Sequence, residues 1–173
     1  AGDMSLPAGE TGELQIRGPA VFRGYWRRPE ATAEAFTADG FFRTGDLARA
    51  DADGRLSIVG RSKDLIITGG YNVYPREVEI LLDDMEGVGE SAVIGLPHAD
   101  FGEAVTAVVE PAQGAPRPEE ARILPALRAG LAAYKCPKRV LVVDRLPRNT
   151  MGKIEKARLR SEHAGLYTAA QKK

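Results

Sequence analysis

Cysteine is nearly absent from this chain: Cys136 stands alone among 173 residues. That excludes an internal disulfide framework and fits a reducing compartment, so a cytoplasmic location is expected. Long apolar runs are also missing, and no stretch reaches the roughly 20 residues of a membrane-spanning helix. The first residues lack the basic-then-apolar order of a signal peptide. Neither sign of charge is in excess, with 24 Lys and Arg against 24 Asp and Glu. No global field therefore favours nucleic acid or an anionic membrane as a partner. Histidine is scarce too. His98 and His163 lie far apart without metal-ligand company, so both read as structural or surface residues and no metal site is expected. There are no internal repeats and no low-complexity tracts. The chain opens on Ala1-Gly2-Asp3 with Met4 its first methionine, and it reads as a fragment of something longer.

What is present suffices for a core. An apolar fraction of 43% with 28% charged residues describes a globular protein. The length fits one ordinary domain, or a small domain plus a piece of another. Gly12 to Gly18 alternates polar and apolar, the pattern of a half-buried strand. Pro29-Glu30 and the alanines up to Phe36 suggest a short helix with proline in its first turn. Phe41 to Ala50 and Arg55 to Val59 flank Asp51-Ala52-Asp53-Gly54, a hairpin signal. Residues 1–62 thus read as β-rich.

From Lys63 the character changes. Leu65-Ile66-Ile67 predicts a brief strand running into Gly69-Gly70. Pro75 opens a helix with Val78, Leu81, Leu82 and Met85 on one face. Ser91 to Leu96 and Ala104 to Val109 predict two pairing strands, and Val140 to Val143 a third. A helical pattern spans Glu119 to Ala133, with a kink or late start expected at Pro125. A last helix is expected from about Glu155, with Tyr167 to Lys173 fraying. The fold class is α+β, with a boundary at Arg61-Ser62-Lys63 dividing 1–62 from 63–173.

Four features stand in order along the chain: Arg43-Thr44-Gly45-Asp46; Gly60-Arg61-Ser62-Lys63-Asp64; Ile67-Thr68-Gly69-Gly70-Tyr71-Asn72-Val73-Tyr74-Pro75; and Pro147-Arg148-Asn149-Thr150-Met151-Gly152-Lys153. Each alone has a bland reading as a turn, a cap, a solvated charge or a sharp bend. The last places a flexible cation on a polar turn, suited to an anionic target. It is not a Walker loop, because Pro147 and Ile154 stand where that loop needs a glycine and a Ser/Thr.

As an ordered set, the four resemble the adenylate-forming superfamily of acyl-CoA synthetases, aryl-CoA ligases, luciferases and peptide-synthetase adenylation domains. The resemblance covers essentially the whole chain, as the C-terminal third of such an enzyme. In wording, the Gly69 to Glu77 and Pro147 to Lys153 stretches look most like bacterial malonyl-CoA synthetases. The resemblance implies that 1–62 is the β-rich end of a large N-terminal domain and 63–173 a small mobile C-terminal domain, an antiparallel sheet with helices. It implies an acid–thiol ligase that activates a carboxylate with MgATP to an acyl-adenylate and passes the acyl group to CoA. ATP, Mg2+ and CoA are then cosubstrates, with no tightly bound cofactor. The runner-up is an adenylation module loading a carrier-protein thiol, or a medium- or long-chain fatty acyl-CoA ligase.

The residue roles it implies agree with their chemistry. Asp46 matches the position that accepts from the ribose hydroxyls, and two carboxylate oxygens suit a vicinal diol. Arg61 matches a residue on the ribose and phosphate side. Lys153 matches the lysine that offsets charge as carboxylate and α-phosphate approach. Lys63 matches the hinge, and Gly69 and Gly70 match the strand laid against the pantetheine arm of CoA. Lys135, Lys138 and Arg139 are candidates for CoA phosphates, although solvated charge is the favoured reading. Ile67 and Asn72 replace a lysine and a glutamine of some aryl-CoA relatives, so those contacts are not expected. A lysine acetyltransferase and deacetylase acting on Lys153 are implied as partners. The chain alone is expected to be inactive in adenylation, because no stretch resembles the family's Ser/Thr/Gly-rich phosphate loop.

Overall fold

The structure, a computed structural model, describes residues 5–168. The opening residues up to Met4 and the segment 169–173, part of the tail expected to fray, lie outside the described residues. The chain divides into two compact units, up to Lys63 and from Asp64 onward.

The first unit is a three-stranded antiparallel sheet of β1 (Thr11–Ile16), β2 (Phe42–Ala50) and β3 (Leu56–Arg61), with one helix, α1 (Pro29–Ala35), before β2. Pro29 starts α1 because its fixed φ is already helical and its missing N–H costs nothing there. The β2–β3 loop is closed by Asp51, whose Oδ1 accepts from the N–H groups of Asp53 and Arg55 at 2.9 and 2.8 Å. Phe22 packs against Phe36 and Phe42 with ring centroids 5.8 and 5.0 Å away. Burial is sparse. Among the described residues of this unit, only Thr37 and Ala48 are buried, while Leu56 and Ile58 are each 60% exposed and Trp26 85%.

The second unit has three layers. Its sheet contains β4 (Ile66–Thr68), β5 (Tyr71–Val73), β6 (Val88–His98), β7 (Gly102–Pro111) and β8 (Arg139–Val142). The order is β5-β4-β7-β6, and β8 also pairs with β7. Pairing is antiparallel except for β8, which runs parallel to β7 from Thr106 to Val109. On one face Val93, Val105, Ala107 and Val109 pack with Val78 and Leu82 of α2 (Pro75–Asp83) and Ile123 and Leu127 of α3 (Glu120–Gly130). On the other, Ala92, Ile94, Leu96 and Val108 pack with Leu146 and with Leu159 of α4 (Lys156–His163). Burial on both faces is why β6 and β7 read as near-continuous apolar runs, without strand alternation.

The expected β6–β7 pairing is present, with Ser91 opposite Val109 and Leu96 opposite Ala104. Three local expectations differ. The helix holding Pro125 begins at Glu120, continues through the proline and ends at Gly130, earlier than Ala133. Ile123 and Leu127 on either side of Pro125 are buried, and that packing holds the segment helical despite the lost donor. Tyr167 does not fray. Its hydroxyl bonds Thr106 Oγ1 at 2.9 Å and its ring lies 5.3 Å from that of His98. The third difference is β5, a strand that forms the second arm of a hairpin around Gly69-Gly70.

Candidate functional site

Asp46 and Arg61 meet in the first unit. In β1–β2 the register runs from Glu13 opposite Leu47 to Gln15 opposite Arg43, so Thr44, Gly45 and Asp46 bulge opposite Leu14 alone. Thr44 fixes that bulge, donating to Leu14 O at 2.7 Å and accepting from Asp46 N at 3.1 Å. Asp46 and Arg61 are register partners across β2–β3, and Arg61 Nε donates to Asp46 Oδ1 at 2.9 Å. The side chains are 24% and 54% exposed respectively, so carboxylate and guanidinium present an acceptor and a donor fork side by side at the surface. Lys63 follows in a short 3-10 turn, Ser62–Asp64, as the last residue of the unit, and it is exposed.

Gly69 and Gly70 form the two-residue turn of the β4–β5 hairpin, with φ of +55° and +82°. Both values are left-handed, the demand of the tight hairpin turns whose twist matches their strands, so backbone conformation by itself requires glycine here. Gly69 N donates to Phe101 O at 2.9 Å, and a Cβ at Gly70 would meet nothing within 4 Å. The turn therefore offers an open backbone surface. Ile67 and Asn72 pair across the hairpin and are both exposed, where their side chains supply no charge.

Lys153 closes a turn organised by Asn149. The Asn149 side-chain Oδ1 accepts from the N–H groups of Met151 and Lys153, each at 3.0 Å. Asn149 N donates to Lys153 O at 2.9 Å and Gly152 N to Asn149 O at 2.9 Å. Arg148 reaches back to Gly152 O at 3.0 Å and forms an ion pair with Glu90 of β6. That carboxylate holds the Arg148 guanidinium pKa above its ordinary value, so Arg148's charge is committed to the scaffold. The turn is anchored again on each side. Glu110 Oε2 accepts from Leu146 N at 2.8 Å, and Lys156 pairs with the buried Glu79 of α2 at 2.6 Å. Lys153 itself is exposed and has no ion-pair partner among the described residues. A cation held on a rigid turn with no internal counter-ion is available to an anion supplied from outside.

The other three cations each have a partner within the second unit, and Lys138 and Arg139 stay exposed. Lys135 pairs with Glu77 at 2.6 Å, and that hydrogen bond pushes its pKa up. Arg139 pairs with Glu120 at 3.0 Å, and Lys138 Nζ sits 4.4 Å from the Phe101 ring centroid. Among the described residues no group of three or more His, Cys, Asp or Glu side chains is placed to hold a metal ion.

Within the second unit the glycine hairpin and the lysine turn stand apart. The hairpin joins β7 at Gly102, whereas the lysine turn is tied to Glu90, the partner of Glu110. Gly102 and Glu110 are eight residues apart on one strand, roughly 27 Å at the usual rise. The supporting residues Asn149, Glu90, Glu110 and Glu79 escaped the sequence reading. Two of them carry a signal: Asn149 stands in the polar turn before Gly152-Lys153, and Glu79 is an acid on the otherwise apolar stripe Val78–Leu82.

The family model for the AMP-binding enzyme C-terminal domain matches residues 77–153. Over 155 residues the chain is 50% identical to a feruloyl-CoA synthase of an Amycolatopsis species, an alignment covering 90% of this chain and 31% of that protein. ATP-bound MatB from Rhodopseudomonas palustris superposes with a TM-score of 0.86 at 55% identity, covering 94% of this chain and 32% of that one. The amide bond synthetase McbA from Marinactinospora thermotolerans gives 0.83 at 40% identity, covering 92% and 32%. The chain thus spans about a third of the length of these relatives. Residues 77–153 thus match the AMP-binding enzyme C-terminal domain, and along nearly its whole length the chain is similar to the C-terminal portion of acyl-CoA synthetases of the adenylate-forming superfamily.

Proposed function

We propose that this chain serves as the C-terminal portion of an AMP-forming acyl-CoA synthetase, which joins a carboxylic acid to CoA through an acyl-adenylate. One observation carries the reading: a single compact unit holds the glycine hairpin and the lysine turn at opposite ends of the β6–β7 ladder. Two elements roughly 27 Å apart on one strand pair cannot both serve one reaction centre in one orientation. Two consecutive half-reactions with a reorientation between them use both, and Lys63, last residue of the first unit, is the hinge in this proposal.

In the first half-reaction Lys153 offsets the charge that builds as the acid's carboxylate attacks the α-phosphorus of ATP and pyrophosphate leaves. Its contribution is electrostatic and preorganised by the Asn149 turn, and it transfers no proton. Asp46 and Arg61 hold the ribose and phosphate side of the nucleotide. In the second half-reaction the Gly69-Gly70 backbone borders the pantetheine arm, so the thiol attacks the acyl carbon and AMP departs. Mg2+ accompanies ATP as its counter-ion, and no step here runs through it.

For the acid, the wording of the motifs favours malonate and the likeness to MatB supports it. The feruloyl-CoA synthase likeness favours an aromatic acid, so the acid panel must include both. McbA raises an amine acceptor as the second reading. AMP release by the full-length enzyme, measured with malonate, methylmalonate, acetate, fatty acids and ferulate, with and without CoA, tests these. Acid-dependent ATP–pyrophosphate exchange is expected, and its absence with every acid would overturn the proposal. Lys153→Ala should lower adenylation at least a thousandfold and leave CoA acylation from supplied acyl-adenylate within about threefold. Acetylation of Lys153, which removes the same charge, should act alike. Equal loss of both half-reactions would sink the two-surface assignment.

A further inference from the structure

The glycine hairpin is attached to the sheet by very little backbone. Across β4–β5, Thr68 and Tyr71 flank a two-residue turn, so Ile67 lies at a wide position and its N–H points away from β5. On that other side β4 meets β7 through one register pair, Thr68 with Gly102, and through Gly69 N bonding Phe101 O. No β7 carbonyl takes the Ile67 N–H. It donates instead to a side chain, Glu103 Oε2, at 2.8 Å.

Glu103 reaches there over Gly95. Gly95 is opposite Val105 in the β6–β7 ladder and Pro97 is opposite Glu103, so Glu103 and Gly95 are diagonal neighbours. A Cβ on Gly95 would lie 2.5 Å from Glu103 Oε1, 2.8 Å from its Cδ and 3.1 Å from Oε2. All three nearest atoms belong to that one carboxyl group. The backbone at Gly95 has no left-handed φ to require glycine, so the missing side chain at Gly95 makes room for the Glu103 carboxylate. The carboxylate in turn completes the β4–β7 junction and fixes the hairpin's angle to the sheet.

We propose that Glu103 is a positioning residue for acyl transfer: through the Ile67 N–H it aims the Gly69-Gly70 turn at the thiol-bearing arm, and Gly95 is the space it needs. This rests on the acyl-CoA synthetase reading above. In the full-length enzyme, Glu103→Ala should slow acyl transfer from preformed acyl-adenylate to CoA at least tenfold while adenylation stays within twofold. Glu103→Gln keeps an acceptor oxygen and should restore transfer to within threefold. Gly95→Ala should reproduce Glu103→Ala by evicting the carboxylate. The Gly95→Ala/Glu103→Ala double variant should be no slower than the slower single one, because the clashing group has gone. Amide exchange across residues 65–72 should quicken in Glu103→Ala with the β6–β7 segments unchanged. Transfer within twofold of the parent in Glu103→Ala would overturn the proposal. So would a parallel fall in both half-reactions with a lowered melting temperature, or multiplicative losses in the double variant. If the unsubstituted enzyme transfers no acyl group to CoA, the functional reading falls instead, and the exchange measurement still reports whether Glu103 holds the hairpin.

Discussion

Asn149 shows how one short side chain converts a flexible turn into a mount. Its Oδ1 collects two N–H groups, those of Met151 and Lys153, and its backbone closes the turn from both ends. Asn is favoured at such places because its side chain mimics a backbone carbonyl and needs only one rotamer fixed. The lysine it supports has four rotatable bonds, so the root of that side chain must be fixed if its charge is to arrive in register. Asn149→Ala should therefore lower adenylation about tenfold, in line with the cost of a sub-ångström to 1 Å misplacement of a catalytic group. Asn149→Ser, whose hydroxyl still accepts, should fall between. Acyl transfer to CoA, which in the proposal uses the hairpin at the other end of the ladder, serves as the internal control; a matching loss there would mean the turn matters only for folding. None of this was legible beforehand. Asparagine before a Gly-Lys pair announces a turn, but which N–H groups it gathers depends on three-dimensional closure around Gly152.

At the scale of elements, legibility followed how much of each element's pattern its own residues carried. β6 and β7 were found because both faces are buried and the apolar runs are long. β5 carries no such pattern, because Tyr71, Asn72 and Val73 bury only the last of the three, leaving Gly-Gly between two short runs as the hairpin signal. The parallel pairing of β8 depends on α3 as its crossover, a long-range relation that no local pattern encodes. The ordering of the tail after α4 has a related origin. Tyr167 finds the Thr106 hydroxyl on a strand 61 residues earlier, and the partly buried Leu166 and Tyr167 pack against the core on that face. Burial raises the Tyr167 pKa above 10.0, outweighing the lowering by the Thr106 bond. A phenol whose folded-state pKa lies above its unfolded one contributes stability that is complete below about pH 10 and is lost as pH rises through the folded value. Urea midpoints should thus fall more steeply above about pH 10 in the parent protein than in Tyr167→Phe, with parallel curves below it. Identical slopes would detach the tail from the stability of the unit.

The two units differ in what they can hold together unaided, and that difference bears on the proposed function at the scale of the molecule. From Ile66 to Leu159 the second unit contains both apolar clusters, one on each face of the sheet, with three helices covering them. Its acids are spent on internal connections, Glu79 to Lys156 and Val93 N, Glu110 to Leu146 N, Asp64 to Arg160. The first unit has no comparable interior. Ala48 is its one buried apolar residue among those described, and Leu56, Ile58, Tyr25 and Trp26 face outward. A three-stranded sheet with a single short helix removes too little apolar surface from water to offset the ordering of some 60 residues. In the proposal, the rest of a large N-terminal domain covers those residues, and the sheet is rigid only there. Asp46 and Arg61 would then belong to that larger domain, while Lys153 and the glycine hairpin ride on a body that keeps its shape as it turns. The segment from Asp64 onward, expressed alone, should show one cooperative thermal transition and dispersed amide resonances. The segment up to Lys63, expressed alone, should show neither. A cooperatively folded first segment would mean that its exposed apolar residues need no cover, and Asp46 would then sit on an independent module. A disordered second segment would remove the self-supporting body on which the alternation between two half-reactions depends.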